Sequence, residues 1–309
     1  FASTDDAFVE AHVVAISPQV SARVLKVYVD DNQAVRAGDP LVDLDPTDYQ
    51  VALAQAKGAE AGARGKRDQA KTQVPAAEAG LREAEASVQV AEVNFRNADA
   101  DLKRYEALEE RARSRQQYDN AVSAQKTAAA QVAQAQARLA SAESQIATAK
   151  AAVLASEGDV NRTAADVRRA EVNLGYTKIL APSDGRVTRK SVEAGAYVTP
   201  TAALLAIVPP DVWVVANYKE TQLEHMRVGQ PVEVSVDAFG GQDLTGKVQS
   251  IQAGTGSRFA VLPAENATGN FVKVVQRVPV KIVLDNPDPG GGRFLSPGMS
   301  VVVKTKVRD

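Results

Sequence analysis

The sequence predicts an α+β protein: a small β-sandwich interrupted by a long antiparallel coiled-coil α-hairpin and followed by a small β-barrel. Three observations carry this reading. A weak repeat recurs at a constant offset of 163 residues, a heptad pattern fills the space between its copies, and turn-punctuated β-branched runs occupy the chain from Val212 onward.

In the repeat, Ala22-Arg23-Val24 matches Gly185-Arg186-Val187, and at the same offset Val29 meets Val192, Asn32 meets Gly195, Val35 meets Val198, Leu41 meets Leu204 and Leu44 meets Ile207. Each copy breaks its short apolar runs with turn formers. These are Asp30-Asp31-Asn32 and Gly38-Asp39-Pro40 in the first, and Glu193-Ala194-Gly195 and Thr199-Pro200 in the second. Such punctuation reads as hairpins. A lone hairpin is marginal in water, so neither copy buries a core by itself. Two half-motifs close into one sandwich if the intervening segment brings the chain back to its starting point. A helical hairpin does that.

The intervening segment has the required period. In the second helix Val132, Leu139, Ile146, Val153, Val160, Val167 and Leu174 recur every seven residues, accompanied by the small series Ala121, Ala128, Ala135, Ala142, Ala149, Ser156, Thr163 and Ala170. The first helix repeats the alternation with Val74, Leu81, Val88, Phe95 and Leu102 against Ala77, Ala84, Ala91 and Ala98. A 3-4 spacing held this long predicts a coiled coil, and large residues facing small ones would let the two helices approach closely. Helices of roughly 60 residues would each reach on the order of 90 Å, the length of a spacer. Near its start the first helix is weaker. Gly58, Gly62 and Gly65 each cost about 1 kcal/mol relative to alanine, Glu60 and Arg67 fall where large apolar residues belong, and Pro75 removes a backbone donor. A kink or loosened packing is expected there. The chain must turn between Leu108 and Ser114, where Glu109-Glu110-Arg111-Ala112-Arg113 carries no large apolar side chain.

Beyond the second repeat copy, Val212 to Tyr218, Val232 to Asp237, Leu244 to Ala253, Phe271 to Leu284 and Met299 to Val307 read as strands. Lys219 to Met226 reads as one short helix. Five or six strands with short turns suit a small barrel. The stretch from Gly254 to Asn270 is too long for a simple turn and is a candidate contact loop, with a purely structural loop as the alternative.

Composition removes several functions. Lys and Arg total 36 against 38 Asp and Glu, and no basic run interleaved with aromatics occurs, which argues against a nucleic-acid partner. The chain has no cysteine, so disulfides, zinc-thiolate sites and cysteine nucleophiles are excluded. Its two histidines, His12 and His225, lack a second histidine at metal-ligand spacing, so neither a metal nor a cofactor is expected. Gly254-Thr255-Gly256 lacks the third glycine of a dinucleotide loop, and neither a phosphate loop nor a nucleophile elbow occurs. The chain reads as a non-enzyme. No run approaches the 18 or so apolar residues of a membrane span, the longest being Ala202 to Val208. The start at Phe1 reads as the middle of a protein, so a membrane anchor outside this chain is expected.

Two passages carry a family resemblance. The first contains Asn217-Tyr218-Lys219-Glu220-Thr221-Gln222, Met226-Arg227-Val228-Gly229-Gln230-Pro231-Val232, Leu262-Pro263-Ala264-Glu265-Asn266-Ala267-Thr268-Gly269-Asn270 and Val274-Val275-Gln276-Arg277-Val278-Pro279-Val280. The second contains Pro18-Gln19-Val20-Ser21 and Val29-Asp30-Asp31-Asn32-Gln33 through Leu44-Asp45-Pro46-Thr47-Asp48-Tyr49. Together they resemble the EmrA branch of the HlyD-type membrane-fusion proteins. The resemblance implies a lipoyl-like sandwich split by the hairpin, with residues 17–46 and 176–208 as its halves. It implies helical arms over 47–110 and 111–175, a barrel over 209–309 and an N-terminal strand segment over 1–16. It further implies a periplasmic adaptor of a multidrug efflux pump, anchored to the inner membrane of a Gram-negative cell. The implied partners are a major-facilitator transporter, a TolC-type outer-membrane channel and further copies of the chain, from dimer to hexamer. An adaptor for type I protein secretion is the alternative.

The hairpin tip resembles the family's channel-docking motif, with Arg104, Leu108, Ser114 and Asp119 on its arginine, leucine, serine and acidic positions. The spacing from arginine to serine is one residue shorter than the family pattern. That departure bears on individual contacts more than on the tip's role. In the contact loop the expected residues are Gly254, Thr255, Gly256, Ser257, Asn266, Thr268, Gly269 and Asn270. Their expected partner is the transporter or a neighbouring adaptor.

Overall fold

A computed structural model describes residues 1–108, 114–240, 243–254, 275–287 and 293–307. The chain forms two compact units, one of Phe1–Asp45 with Tyr176–Asp309 and one of Pro46–Gly175.

The first unit opens with β1 (Ala2–Thr4) and β2 (Ala7–Ala11), which join the barrel. The chain then enters the sandwich through β3 (Val14–Ile16), β4 (Ala22–Val27), β5 (Ala34–Val35) and β6 (Pro40–Leu44). After the insertion it returns with β7 (Lys178–Leu180), β8 (Gly185–Thr188), β9 (Tyr197–Val198) and β10 (Leu205–Val208). One sheet runs β3-β10-β8-β5 and the other β7-β6-β4-β9. Each sheet therefore takes its inner pair from one repeat copy and its edge strands from the other.

The backbone hydrogen bonds repeat at the same offset. Asn32 N–H donates to Val187 O at 2.9 Å, and Gly195 N–H to Val24 O at 2.8 Å. Val24 N–H donates to Ala196 O and Val187 N–H to Gln33 O, while Tyr28 N–H to Leu41 O matches Ser191 N–H to Leu204 O. Even the arginines correspond: Arg23 Nε donates to Gly195 O at 3.2 Å and Arg186 Nη1 to Asn32 O at 2.8 Å. Asn32 and Gly195, the two turn residues, both take positive φ, 66° and 90°. Chance similarity does not produce reciprocal bonds of this kind. The buried residues Val24, Leu41, Leu44, Val187, Leu204 and Ile207 fill the space between the sheets.

The second unit is a pair of helices, α1 (Thr47–Glu106) and α2 (Arg115–Gly175). At 1.5 Å per residue each spans about 90 Å. The small heptad members form the inner seam: Ala63 and Ala91 of α1, and Ala121, Ala128, Ala135, Ala142 and Thr163 of α2 are buried. Apart from the buried Val167, the larger members, among them Val74, Leu81, Val88, Val132, Leu139 and Ile146, are half-buried. Thr163 satisfies its hydroxyl on the Asp159 and Val160 carbonyls. Ion pairs from Lys57 to Glu171 and from Lys71 to Glu157, each at 3.5 Å, hold the antiparallel register.

The expected kink does not break α1, which continues through Pro75. Pro75 faces solvent, so the carbonyl it leaves unpaired is open to water, while Val74 and Ala77 beside it keep their seam positions. The polar seam residues are satisfied within their own helix, Glu60 by Arg64 at 2.6 Å and Arg67 by Asp68 at 2.7 Å.

The barrel comprises β1, β2, β11 (Val212–Lys219), β12 (Pro231–Val236), β13 (Asp243–Ile251), β14 (Arg277–Leu284) and β15 (Val301–Thr305). Their order is β1-β15-β12-β13-β14-β11-β2, and the Phe8–Ser300 bridge with the Val9 N–H to Met299 O bond draws the two ends together. Inward residues alternate along each strand, and Val9, Val214, Ala216, Val234, Val280, Ile282, Val301 and Val303 are buried. One polar pair lies in this core, Tyr218 Oη and Thr305 Oγ1 at 2.7 Å. Burial pushes the Tyr218 phenol up and the Thr305 bond partly offsets it.

The expected helix over Lys219 to Met226 is only a single 3-10 turn, Glu220–Gln222. Gln222 reaches back to Lys219 N–H and across to Ser3 O, and the chain then drops Met226 into the barrel core, which a continuing helix would not allow.

Two glycine substitutions should move stability in opposite directions. A Cβ on Gly185 would meet Val208 O at 2.5 Å and Ile207 Cγ2 at 2.6 Å, whereas one on Gly62 would meet nothing within 4 Å. Gly185→Ala should destabilise the sandwich by about 2–3 kcal/mol, and Gly62→Ala should stabilise α1 by about 0.5–1 kcal/mol. Urea unfolding followed by circular dichroism checks both. Tyr218→Phe leaves the Thr305 hydroxyl buried without a partner and should cost about 1–3 kcal/mol in the same assay. With the phenol pKa raised in the folded state, the wild-type barrel should keep this contribution at neutral pH and lose it as alkaline pH ionises the tyrosine.

Candidate docking sites

At the turn end of the hairpin, α1 finishes with Leu102 and Tyr105 half-buried on the seam and Lys103 and Arg104 outside it. Cations in the last turn suit the negative end of a helix dipole. The cap residue Ala107 donates to Lys103 O at 3.1 Å, and Leu108 follows with 46% of its surface exposed. On the return strand of the hairpin Ser114 O accepts from Tyr118 N–H at 3.1 Å, and Tyr118 and Ala121 take up the seam. Asp99 ties the two helices together. It pairs with Lys103 at 2.7 Å and accepts from Gln125 Nε2 of α2 at 3.4 Å. The Lys103 bond, helped by Gln125, holds the Asp99 carboxyl below the usual carboxylate range.

All four tip residues expected from the sequence lie at this end and are exposed. Arg104 pairs with Asp101 at 2.9 Å on its own helix, and the Asp119 carbonyl accepts from Ser123 Oγ. Among the described residues the arrangement offers an exposed apolar side chain, Leu108, and an exposed cation, Arg104, paired with Asp101. That is contact chemistry. Of the second expected site, Gly254 lies half-buried just beyond β13. Thr255, Gly256, Ser257, Asn266, Thr268, Gly269 and Asn270 lie outside the described residues.

One feature of the first unit has no local signal in the sequence. A cleft of about 840 Å³ lies between the sandwich and the barrel, bringing Arg186 and Arg189 beside Arg293 and Phe294. Arg186 is visible in the sequence only as a repeat match, and the segment it faces lies about a hundred residues further along. Among the described residues no group of three or more potential metal ligands occurs, and no helix is long and apolar enough to cross a membrane.

Comparison with known proteins agrees with the geometry. Residues 12–209 match the family described as RND MFP, barrel-sandwich hybrid domain, and residues 211–308 match the CusB-like β-barrel domain. The chain is a membrane fusion protein. It is 38% identical over 296 residues to the multidrug export protein EmrA of Escherichia coli K12, covering 92% of this chain and 71% of that one. With the EmrA of Haemophilus influenzae the identity is 35% over 311 residues, covering 100% of this chain and 77% of the relative. The crystal structure of MacA from Actinobacillus actinomycetemcomitans shares the fold, with a TM-score of 0.61 at 19% identity over 99% of this chain and 80% of that one. A membrane fusion protein is an adaptor and not a catalyst.

The Asp99–Lys103–Gln125 link yields a prediction for this membrane fusion protein. Its carboxyl is held low in the folded state, so its contribution is present at neutral pH and lost as pH falls through the carboxylate range. Asp99→Asn should speed hydrogen exchange of the amides around residues 100–106 and 120–126 at pH 7, and wild type should show the same loosening on acidification.

Proposed function

We propose that this membrane fusion protein is the periplasmic adaptor of an EmrA-type multidrug efflux pump. It would join an inner-membrane major-facilitator transporter to a TolC-type outer-membrane channel. The observation that carries the reading is the hairpin: two unbroken helices of 60 and 61 residues, closed by a narrow seam of small residues, with Leu108 just after the first and Ser114 just before the second both exposed. A small domain has no use for an arm of that length, whereas a bridge across a periplasm requires one.

In this reading the tip meets the channel. Leu108 supplies apolar contact and Arg104, Ser114 and Asp119 supply polar contacts around it. Gly254, Thr255, Gly256, Ser257, Asn266, Thr268, Gly269 and Asn270 would meet the transporter or a neighbouring copy. An adaptor of this kind works in the periplasm, held at the inner membrane and associated with further copies of itself.

The test is a photoreactive residue placed at Leu108 in cells that carry the whole pump. A covalent adduct with the outer-membrane channel from position 108, with none from Ile146 in mid-helix, is the expected result. Absence of a channel adduct from every tip position, in a protein that still supports drug resistance, would overturn the docking assignment.

A further inference from the structure

The barrel has two unlike ends. Ala11 pairs with Val212, so both connections to the sandwich leave from one end, and β11 carries the chain from there to Lys219 at the other. At that far end Val232 pairs with Thr305 and Thr305 with Ala2, which brings the segment after Lys219 beside the close of β15 and the start of β1. A recess of about 760 Å³ opens there, and His225, Arg227, Val228 and Lys306 are among its walls. No carboxylate lines it. Glu224 and Glu233, the nearest in sequence, lie outside it, and Glu233 sits opposite Lys304 in the β12–β15 register. Among the described residues neither Arg227 nor Lys306 forms an ion pair.

The turn that carries Val228 is held from several sides. Gln230 N–H donates to Arg227 O at 3.3 Å, and Gly229 takes a φ of 90°, the positive value a type II turn needs at its third residue. Gln230 braces the turn twice more, accepting from Arg227 N–H at 2.8 Å and donating from Nε2 to His225 O at 2.9 Å. Arg227 gives Nη1 to the Glu224 and Met226 carbonyls, at 2.8 Å each, and keeps further guanidinium donors for an outside acceptor. On this turn Val228 is 65% exposed, and Phe1, next to Ala2 in β1, is 79% exposed. A single exposed valine is ordinary. An exposed valine on a braced turn, beside two unpaired cations and a recess without acids, suits an interface of anionic headgroups over apolar chains. A protein partner is more often met by an apolar centre within a polar rim. Here the cations line the recess and the most exposed side chains are apolar.

We propose that this end of the barrel rests on a membrane surface of anionic phospholipid, with a headgroup phosphate held in the recess by Arg227 and Lys306 and with Val228 entering the boundary between headgroups and acyl chains. The cations supply the attraction, so binding requires negative lipid and weakens as salt rises. The assignment is independent of the hairpin tip and of the partners proposed above.

The chain has no cysteine, so one introduced at Val228 takes an environment-sensitive fluorophore at that position alone. The test mixes the purified chain, labelled for fluorescence and unlabelled for flotation, with phosphatidylcholine vesicles with and without about 30% phosphatidylglycerol. Flotation with the anionic vesicles only is expected, with a blue shift from position 228 and none from the comparably exposed Leu154 of α2, which is 71% exposed. Arg227→Gln with Lys306→Gln should weaken vesicle binding about tenfold or more. Arg227→Lys, which keeps the charge and gives up the bonds to the two carbonyls, should retain binding. Lys126→Gln with Lys150→Gln, which takes the same charge from the hairpin, should leave it unchanged. Millimolar inorganic phosphate at constant ionic strength should not displace the vesicles. Overturning results would be no flotation with anionic vesicles, equal flotation with phosphatidylcholine alone, or an equal blue shift from Leu154. So would an equal loss in either Arg227→Lys or the hairpin variant, or displacement by phosphate, which would make the recess a site for a free anion.

Discussion

The structure depends on the interlocking of two half-motifs through reciprocal backbone bonds. Asn32 N–H to Val187 O and Gly195 N–H to Val24 O each cross from one copy to the other. Because each sheet draws its edges from the opposite copy, neither half completes a four-stranded sheet without its mate. The consequence reaches the insertion. Leu44 N–H donates to Thr177 O at 2.8 Å, so the residues that lead into α1 and out of α2 are held side by side within the first unit. A chain leaving and returning at neighbouring points can carry a two-helix excursion of any length without disturbing the core it leaves.

The hairpin solves a different problem. A pair of helices has no third layer to cover it, so little apolar surface can be sheltered and the seam must be narrow. Alanine at the inner positions meets that limit, with larger residues half-covered at the edges. Stability then comes from length, since each added heptad contributes another layer. This is also why α1 runs through Pro75, Glu60 and Arg67. One missing hydrogen bond of a few kcal/mol is small against a seam of many layers.

Much of this was legible in the sequence because it was periodic. The offset of 163 marked the sandwich, since Val24 and Val187 or Leu41 and Leu204 occupy like environments in the two copies. Spacings of three and four marked the seam. Misreadings fell where tertiary packing overrides local preference. Lys219 to Met226 has helix-forming residues, yet burial of Met226 and the bonds of Gln222 stop it after one turn. The turn was placed between Leu108 and Ser114 by the lapse of large apolar residues, whereas the docking role expected of Arg104, Leu108, Ser114 and Asp119 came from resemblance alone, because contacts with an outside partner leave no trace in the chain's own core. The cleft was invisible, since no local pattern connects Arg186 to Phe294.

The direct test of the interlocked sandwich is native-state hydrogen exchange at the Val24, Asn32, Val187 and Gly195 amides as a function of denaturant. The account predicts one shared opening event, with the four amides converging on the same free energy and the same denaturant slope. Exchange of the first-copy amides, Val24 and Asn32, through a separate and lower-energy opening from Val187 and Gly195 would contradict it.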